Sequence, residues 1–258
     1  MYPRLLLWLL ALGSAPVHAA LLLFPGSPGC MGSLQACVDA AAAGDIIELQ
    51  ANASVVASVS LTRSVTLRGA PGSRVTLSEV VVTLDQIGSN TVYLQRLRID
   101  GRVVAFLGSS NAADRKELLI EDVEVNGAVP GTALELVNQS PSASTNVFRV
   151  RHSRFSGANY GVRVTANSRN PDVEISDSRF LVPEITDGAA VSMDIAGAQA
   201  QLKFLRNQVE CVGRQGRRMS AVRLATAQSG ALVTVDRNDI RFCDFAVRAS
   251  SSNATLFV

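Results

Sequence analysis

The chain has 258 residues, with 24 basic and 22 acidic side chains, and its net charge of +2 gives no electrostatic case for nucleic acid or a membrane surface as partner. Hydrophobic residues make up 47% of the chain but aromatics only 5%. The apolar content is therefore mostly Val, Leu, Ile and Ala, which argues against a globule built on large aromatic anchors and suits thin, stacked β layers.

In chain order, Arg4 precedes an apolar run from Leu5 to Leu12 and small residues around Val17, His18 and Ala19. This is the layout of a signal peptide with its cut after Ala19, so secretion is expected. The run is far short of the roughly 20 residues of a spanning helix, and no later stretch is long and apolar enough to cross a bilayer. The expected organisation is a leader over 1–19 and one domain over 20–258, with a cap region at 20–48 and coils at 49–258.

In the cap region, Ser33 can cap a helix with Leu34, Cys37, Val38 and Ala41 on one face, stopped by Gly44. Strand-like runs follow at Asp45 to Leu49 and Ser64 to Arg68.

From Thr91 onward six segments align: Tyr93 to Gly101, Leu119 to Gly127, Arg149 to Gly157, Glu174 to Val182, Lys203 to Cys211 and Thr234 to Phe242. Each carries an apolar anchor followed five positions later by a second. The pairs are Leu94 and Ile99, Ile120 and Val125, Val150 and Phe155, Ile175 and Phe180, Phe204 and Val209, and Val235 and Ile240. Second anchors recur every 25 to 31 residues, the length of one coil of a solenoid.

Two positions before each second anchor stand Leu97, Val123, Ser153, Ser178, Asn207 and Asn238. Alternation points this column inward. Its change from apolar to polar predicts a hydrogen-bonded ladder of stacked Ser and Asn. A further strand per coil is expected at Thr132 to Val137, Gly161 to Thr165, Ala190 to Ile195, Ala221 to Ala225 and Ala246 to Ala249. An antiparallel sandwich would need hairpin turns between paired strands, but the one Asn-Gly, Asn126-Gly127, sits at the same coil position as Asp100-Gly101 and Ser156-Gly157. The expected fold is an all-β, right-handed parallel β-helix with a short N-terminal capping helix.

Cys30 and Cys37 lie near one end, Cys211 and Cys243 near the other, an even count that suits two disulfides in an oxidising compartment. Adjacent coils bring Cys211 and Cys243 to nearly the same corner, within bonding range. The repeat stops mid-coil at Ala254 to Val258 with no cap after it, so end-to-end self-association or a shortened chain is expected.

The segments Ser33 to Leu49 (SLQACVDAAAAGDIIEL) and Ser60 to Leu77 (SLTRSVTLRGAPGSRVTL), followed by the coils, resemble the pectate-lyase-like family of secreted β-helix proteins. The resemblance spans nearly all of the mature chain. It implies the β-helix fold but no single chemistry, because the family includes lyases, hydrolases, epimerases and proteins with no known activity.

Uronan lyases of this fold would need a cation or Arg to neutralise a carboxylate, and a Lys or Arg base. Candidate calcium carboxylates are Asp122 with Glu121 and Glu124, Asp177 with Glu174, and Asp236 with Asp239. Each group lies in a different column, so neither calcium nor any other cofactor is expected. The hydrolase signatures Asp-Asp, Gly-His-Gly and Arg-Ile-Lys do not occur, and Trp8 is lost with the leader. His152, the only His after the leader, is expected to face outward and supports neither a triad nor a zinc site.

What remains is basic, and all of it Arg except Lys116 and Lys203. Arg98, Arg154 and Arg179 share one outward site. Arg163, Arg223 and Arg248 share another, interrupted by Ser192, and the loop Gly213 to Arg218 adds Arg214, Arg217 and Arg218. Arg154, Arg163, Arg179, Arg214 and Arg223 are candidate ligands for an acidic polysaccharide, with Tyr160 beside Arg163 as a sugar platform. Solubilising charge is the plainer reading of these residues. Arg217 and Arg218 are the candidate catalytic residues if the protein is a lyase. Asn52, Asn138 and Asn253 lie in N-glycosylation sequons. The expected function is a secreted carbohydrate-binding or structural module, with a polysaccharide lyase acting on a uronate glycan as the alternative.

Overall fold

In the computed structural model, residues 19–51, 57–73, 75–138, 145–166, 171–195, 200–213, 216–227, 230–250 and 254–258 are described. Residues 1–18 of the expected leader, Asn52, Arg214 and Asn253 lie outside them. The chain winds into a parallel β-solenoid of about 7 turns. Every strand pairing among the described residues joins one coil to the next, which buries each coil's apolar edge under its neighbour.

The first face is a ten-stranded sheet running from Leu21–Phe24 and Ile46–Leu49 to Leu232–Asp236 and Thr255–Phe257. The second face consists of the short strands Glu124–Asn126, Arg154–Ser156, Arg179–Val182, Gln208–Cys211 and Asp239–Arg241. The third consists of Thr132–Asn138, Tyr160–Ala166, Ala189–Ile195, Ser220–Ala227 and Phe245–Ala249. In the early coils these two faces merge, because Thr76–Leu84 and Arg98–Leu107 each run across both as one long strand.

The repeat columns stack in register. Leu94, Ile120, Val150, Ile175, Phe204 and Val235 pair in sequence on the first face. Ile99, Val125, Phe155, Phe180, Val209 and Ile240 do so on the second. All but Ile240 are buried, each contributing about 1.5–3 kcal/mol of apolar burial. Phe155 and Phe180 stack with ring centroids 5.1 Å apart.

Glycine at the corner between second and third faces has a steric cause. A Cβ on Gly101 would lie 1.9 Å from the Ser78 carbonyl oxygen, and one on Gly127 would lie 2.7 Å from the Ala158 Cβ.

The corner between first and second faces is where the inward column changes character. The residue just before it adopts a left-handed backbone in six successive coils: Arg96, Asp122, His152, Asp177, Arg206 and Arg237, with φ between 49° and 55°. None of the six is glycine, although the conformation costs about 1–2 kcal/mol per residue. Hydrogen bonds between coils offset that cost. The Ser153 Oγ accepts from the Val123 N–H at 3.2 Å, the Ser178 Oγ from the Ser153 N–H at 3.1 Å, the Asn207 Oδ1 from the Ser178 N–H at 3.0 Å and the Asn238 Oδ1 from the Asn207 N–H at 2.8 Å. The side-chain ladder expected from the sequence is thus chiefly a ladder of side chain to backbone. The two asparagines also meet directly, at 3.1 Å.

At the N-terminal end the helix Leu34–Ala40 buries Leu34, Cys37 and Val38, and Ser33 caps it by accepting from the Ala36 N–H. It stops earlier than the expected Gly44. The backbone turns extended at Ala41, and Gly44, at φ +94°, instead forms the bend into Ile46–Leu49. The Gln35 amide covers the sheet edge, accepting from the Ser60 N–H at 2.8 Å and donating to its carbonyl at 3.1 Å. The coil strands also begin earlier than expected, since Leu21–Phe24 is already part of the first face.

The Cys30–Cys37 and Cys211–Cys243 disulfides form, the second with a Cα separation of 5.0 Å. At the other end of the described coils Phe242, Phe245, Leu256, Phe257 and Val258 are exposed. Among the described residues no helix is long and apolar enough to cross a membrane.

Candidate functional site

The two outward Arg columns meet different surroundings. On the third face the column runs Glu135, Arg163, Ser192, Arg223, Arg248. The small Ser192, 4% exposed, lets Tyr160 and Arg223 close over it from the coils on either side. The Arg223 Nη1 donates to the Tyr160 hydroxyl, and its guanidinium lies 5.8 Å from that ring's centre. Arg248, its side chain only 12% exposed, reaches two coils back to the Asp187 carboxylate, which also lies 3.6 Å from the Arg218 Nε. The hydrogen bond from Arg248 is the main reason that the Asp187 carboxyl is held below the usual carboxylate range.

Arg217 faces Glu184 at 3.8 Å. The same loop is tied to Asp244, which accepts from the Gly216 N–H at 2.8 Å and the Met219 N–H at 3.0 Å and is thereby also held low. Arg217, Arg218 and Arg223 thus lie in a knot of tertiary ties. Tyr160 is spent on Arg223 and forms no open sugar platform beside Arg163. Arg163 is half-buried, with no partner among the described residues.

The second-face column is Arg98, Glu124, Arg154, Arg179, Gln208, Asp239. Beside it a groove of about 500 Å³ follows the left-handed corner, lined by Arg96, Arg98, Asp122, Glu124, His152 and Arg154, with the bend at Ala70 to Ser73 as one wall. A smaller depression of about 100 Å³ continues along this face beside Arg179 and Glu210.

Arg98 pairs with Asp100 at 3.1 Å, Arg179 touches Glu210 at 3.5 Å, and the Arg96 Nε donates to the Gly69 carbonyl at 3.0 Å. Arg154, Asp122 and Glu124 carry no side-chain partner among the described residues. Of the five Arg put forward as polysaccharide ligands, Arg154 alone lines this groove. Arg179 lies one coil further along, and Arg163 and Arg223 belong to another face. Asp122 and Glu124 were weighed only as calcium carboxylates, and Arg96 was not singled out. The signal for Arg96 and Asp122 is the corner position one residue before the inward column, and that for Glu124 is the outward column it shares with Arg98 and Arg154, both visible once the coils are aligned.

The carboxylates weighed for calcium mostly serve arginines. Asp177 is bidentate with Arg206, Glu174 faces Arg151 and Arg149, Asp236 meets Arg237, and Asp239 meets Arg241. No group of three potential metal ligands is found among the described residues. His152 is exposed as expected, with its Nδ1 3.8 Å from the Glu121 carboxylate.

A cluster that the sequence reading missed surrounds Lys116, which is fully buried. Its Nζ donates to the Gln86 and Gly88 carbonyls and to the Asn90 Oδ1, so the ammonium's three donors are all used. Burial pushes its pKa down, opposed by Asp114 and Asp85. Asp114 also binds the Ser109 hydroxyl at 2.6 Å and the Gly88 N–H at 2.9 Å. This is a structural lock on the bend at Gln86 to Gly88. Asn138, one of the sequon residues, is fully buried and accepts from the Asn146 amide at 2.6 Å, so its nitrogen is closed to a glycosylating enzyme in the folded state.

No protein-family model, curated protein or solved structure matches the chain.

Proposed function

We propose that the protein is a secreted β-solenoid that binds an acidic polysaccharide along its second face. The observation that carries this reading is the corner groove, where the Arg154 guanidinium is exposed and without a partner among the described residues. An unpaired guanidinium is suited to a carboxylate held at two points. The coil-to-coil step of about 4.8 Å is close to the length of one sugar in an extended glycan, so successive layers can meet successive sugars. The two disulfides fit an oxidising compartment. Binding without turnover is the expected behaviour, because the candidate bases Arg217 and Arg218 face Glu184 and Asp187 away from this groove.

The test is calorimetric titration of the mature protein with polygalacturonate, alginate and a glucuronate polymer, alongside an absorbance assay for unsaturated product with and without calcium. Binding of at least one of these polymers, weakened about tenfold by Arg154→Ala, is expected. Product that disappears in Arg217→Ala or Arg218→Ala would make the protein a lyase instead.

A further inference from the structure

The groove's charges are sorted by layer. One coil contributes Arg96 and Arg98, the next Asp122 and Glu124, and the third His152 and Arg154. Register places these layers in direct succession, with Glu124 between Arg98 on one side and Arg154 on the other. Cross-strand neighbours of opposite sign would be expected to pair with each other. Here neither neighbour is engaged by Glu124: Arg98 turns to Asp100, and Arg154 has no partner among the described residues. The middle layer therefore presents to the groove two carboxylates with no partner among the described residues, bordered by cationic layers.

A uniformly anionic chain lying along this track would put a negative group against Asp122 and Glu124, and like charges repel. We infer that the groove is built for a glycan whose charge alternates along the chain, with an ammonium-bearing amino sugar at the Asp122 and Glu124 layer and an acidic sugar at the Arg154 layer. This deepens the acidic-polysaccharide reading and rests on it. The amine supplies the donors that two carboxylates accept, and the acid supplies the acceptor for the guanidinium. Acetylating the amine removes its charge and two of its three donors while leaving the acidic sugar intact.

The probes are a polymer of alternating glucuronate and N-acetylglucosamine and the same polymer after N-deacetylation, titrated calorimetrically at neutral pH. The deacetylated form binds about tenfold more tightly, the scale expected of partly exposed charge pairs. The double variant Asp122→Asn, Glu124→Gln abolishes that difference by weakening binding of the deacetylated polymer about tenfold. Asn tolerates the left-handed backbone at position 122, and an unchanged unfolding midpoint checks that the variant folds. Equal binding of the two polymers by the unaltered protein overturns this inference and leaves the acidic-glycan reading standing. A preference for the deacetylated polymer that survives in the double variant places the ammonium elsewhere and also overturns it. Binding of neither polymer, together with none to the uronans above, overturns both.

Discussion

The second and third faces both carry Arg at repeated outward positions, yet among the described residues they leave different guanidinia unpaired, Arg154 exposed at an open groove on the second and Arg163 half-buried on the third. On the third face, Tyr160 and Asp187 project far enough to reach two coils along, and Ser192 lies low enough to let Tyr160 and Arg223 meet above it. On the second face the strands are short, and the side chains that engage Arg98 and Arg179, Asp100 and Glu210, lie within one coil of them. A column of like residues is therefore no guide to shared function. What decides is whether a neighbour within two coils can reach the charge.

The largest expected effect that separates the two columns is on stability. Arg248→Ala leaves Asp187 short of its main partner and should lower unfolding free energy by about 1–2 kcal/mol, discounted because the carboxylate is partly exposed. Arg154→Ala should stay within about 0.5 kcal/mol. Urea unfolding of both variants reads this directly, and equal losses would erase the distinction between the faces.

Next in size, Tyr160→Phe removes the acceptor for Arg223 at a cost of about 1 kcal/mol. It should leave glycan affinity unaltered, whereas a loss of affinity would move the binding surface to the third face.

The smallest effect is in acid. Asp187 is held below the ordinary carboxylate range in the fold, so its contribution to stability is complete above the unfolded-state pKa. That contribution is lost as pH falls through the lower, folded value. The decline in urea midpoint from about pH 5 to about pH 3 should accordingly be shallower in Arg248→Ala than in the unaltered chain. Parallel declines would show that Arg248 does not set the Asp187 pKa.

The coil columns were legible in the sequence because stacking forces the same chemistry onto the same position in every layer. All the apolar anchor pairs and the polar inward column stack in register as the spacing implies. Leu21–Phe24 was missed because it adjoins the expected leader and has no repeat partner upstream to align with. The helix stop was placed too late because Gly44 is a stop signal by type, while the chain had already turned at Ala41. The Lys116 lock escaped because two of its three acceptors are backbone carbonyls, which leave no trace in side-chain patterns. The states of Arg223 and Arg248 escaped because their deciding contacts join residues about 60 positions apart, Arg248 to Asp187 and Arg223 to Tyr160.

The left-handed corner has a further consequence for how such a protein can change. Arg96, Asp122 and His152 are three of its six left-handed residues and also line the groove. Their side chains lie outside the core, while the adjacent inward column secures the winding from within. A substitution at one of these sites rewrites one layer of the groove and leaves the register of every strand intact. The corner therefore behaves as a row of independent characters, one per coil, through which a new recognition pattern can be composed by point changes on an unchanged frame.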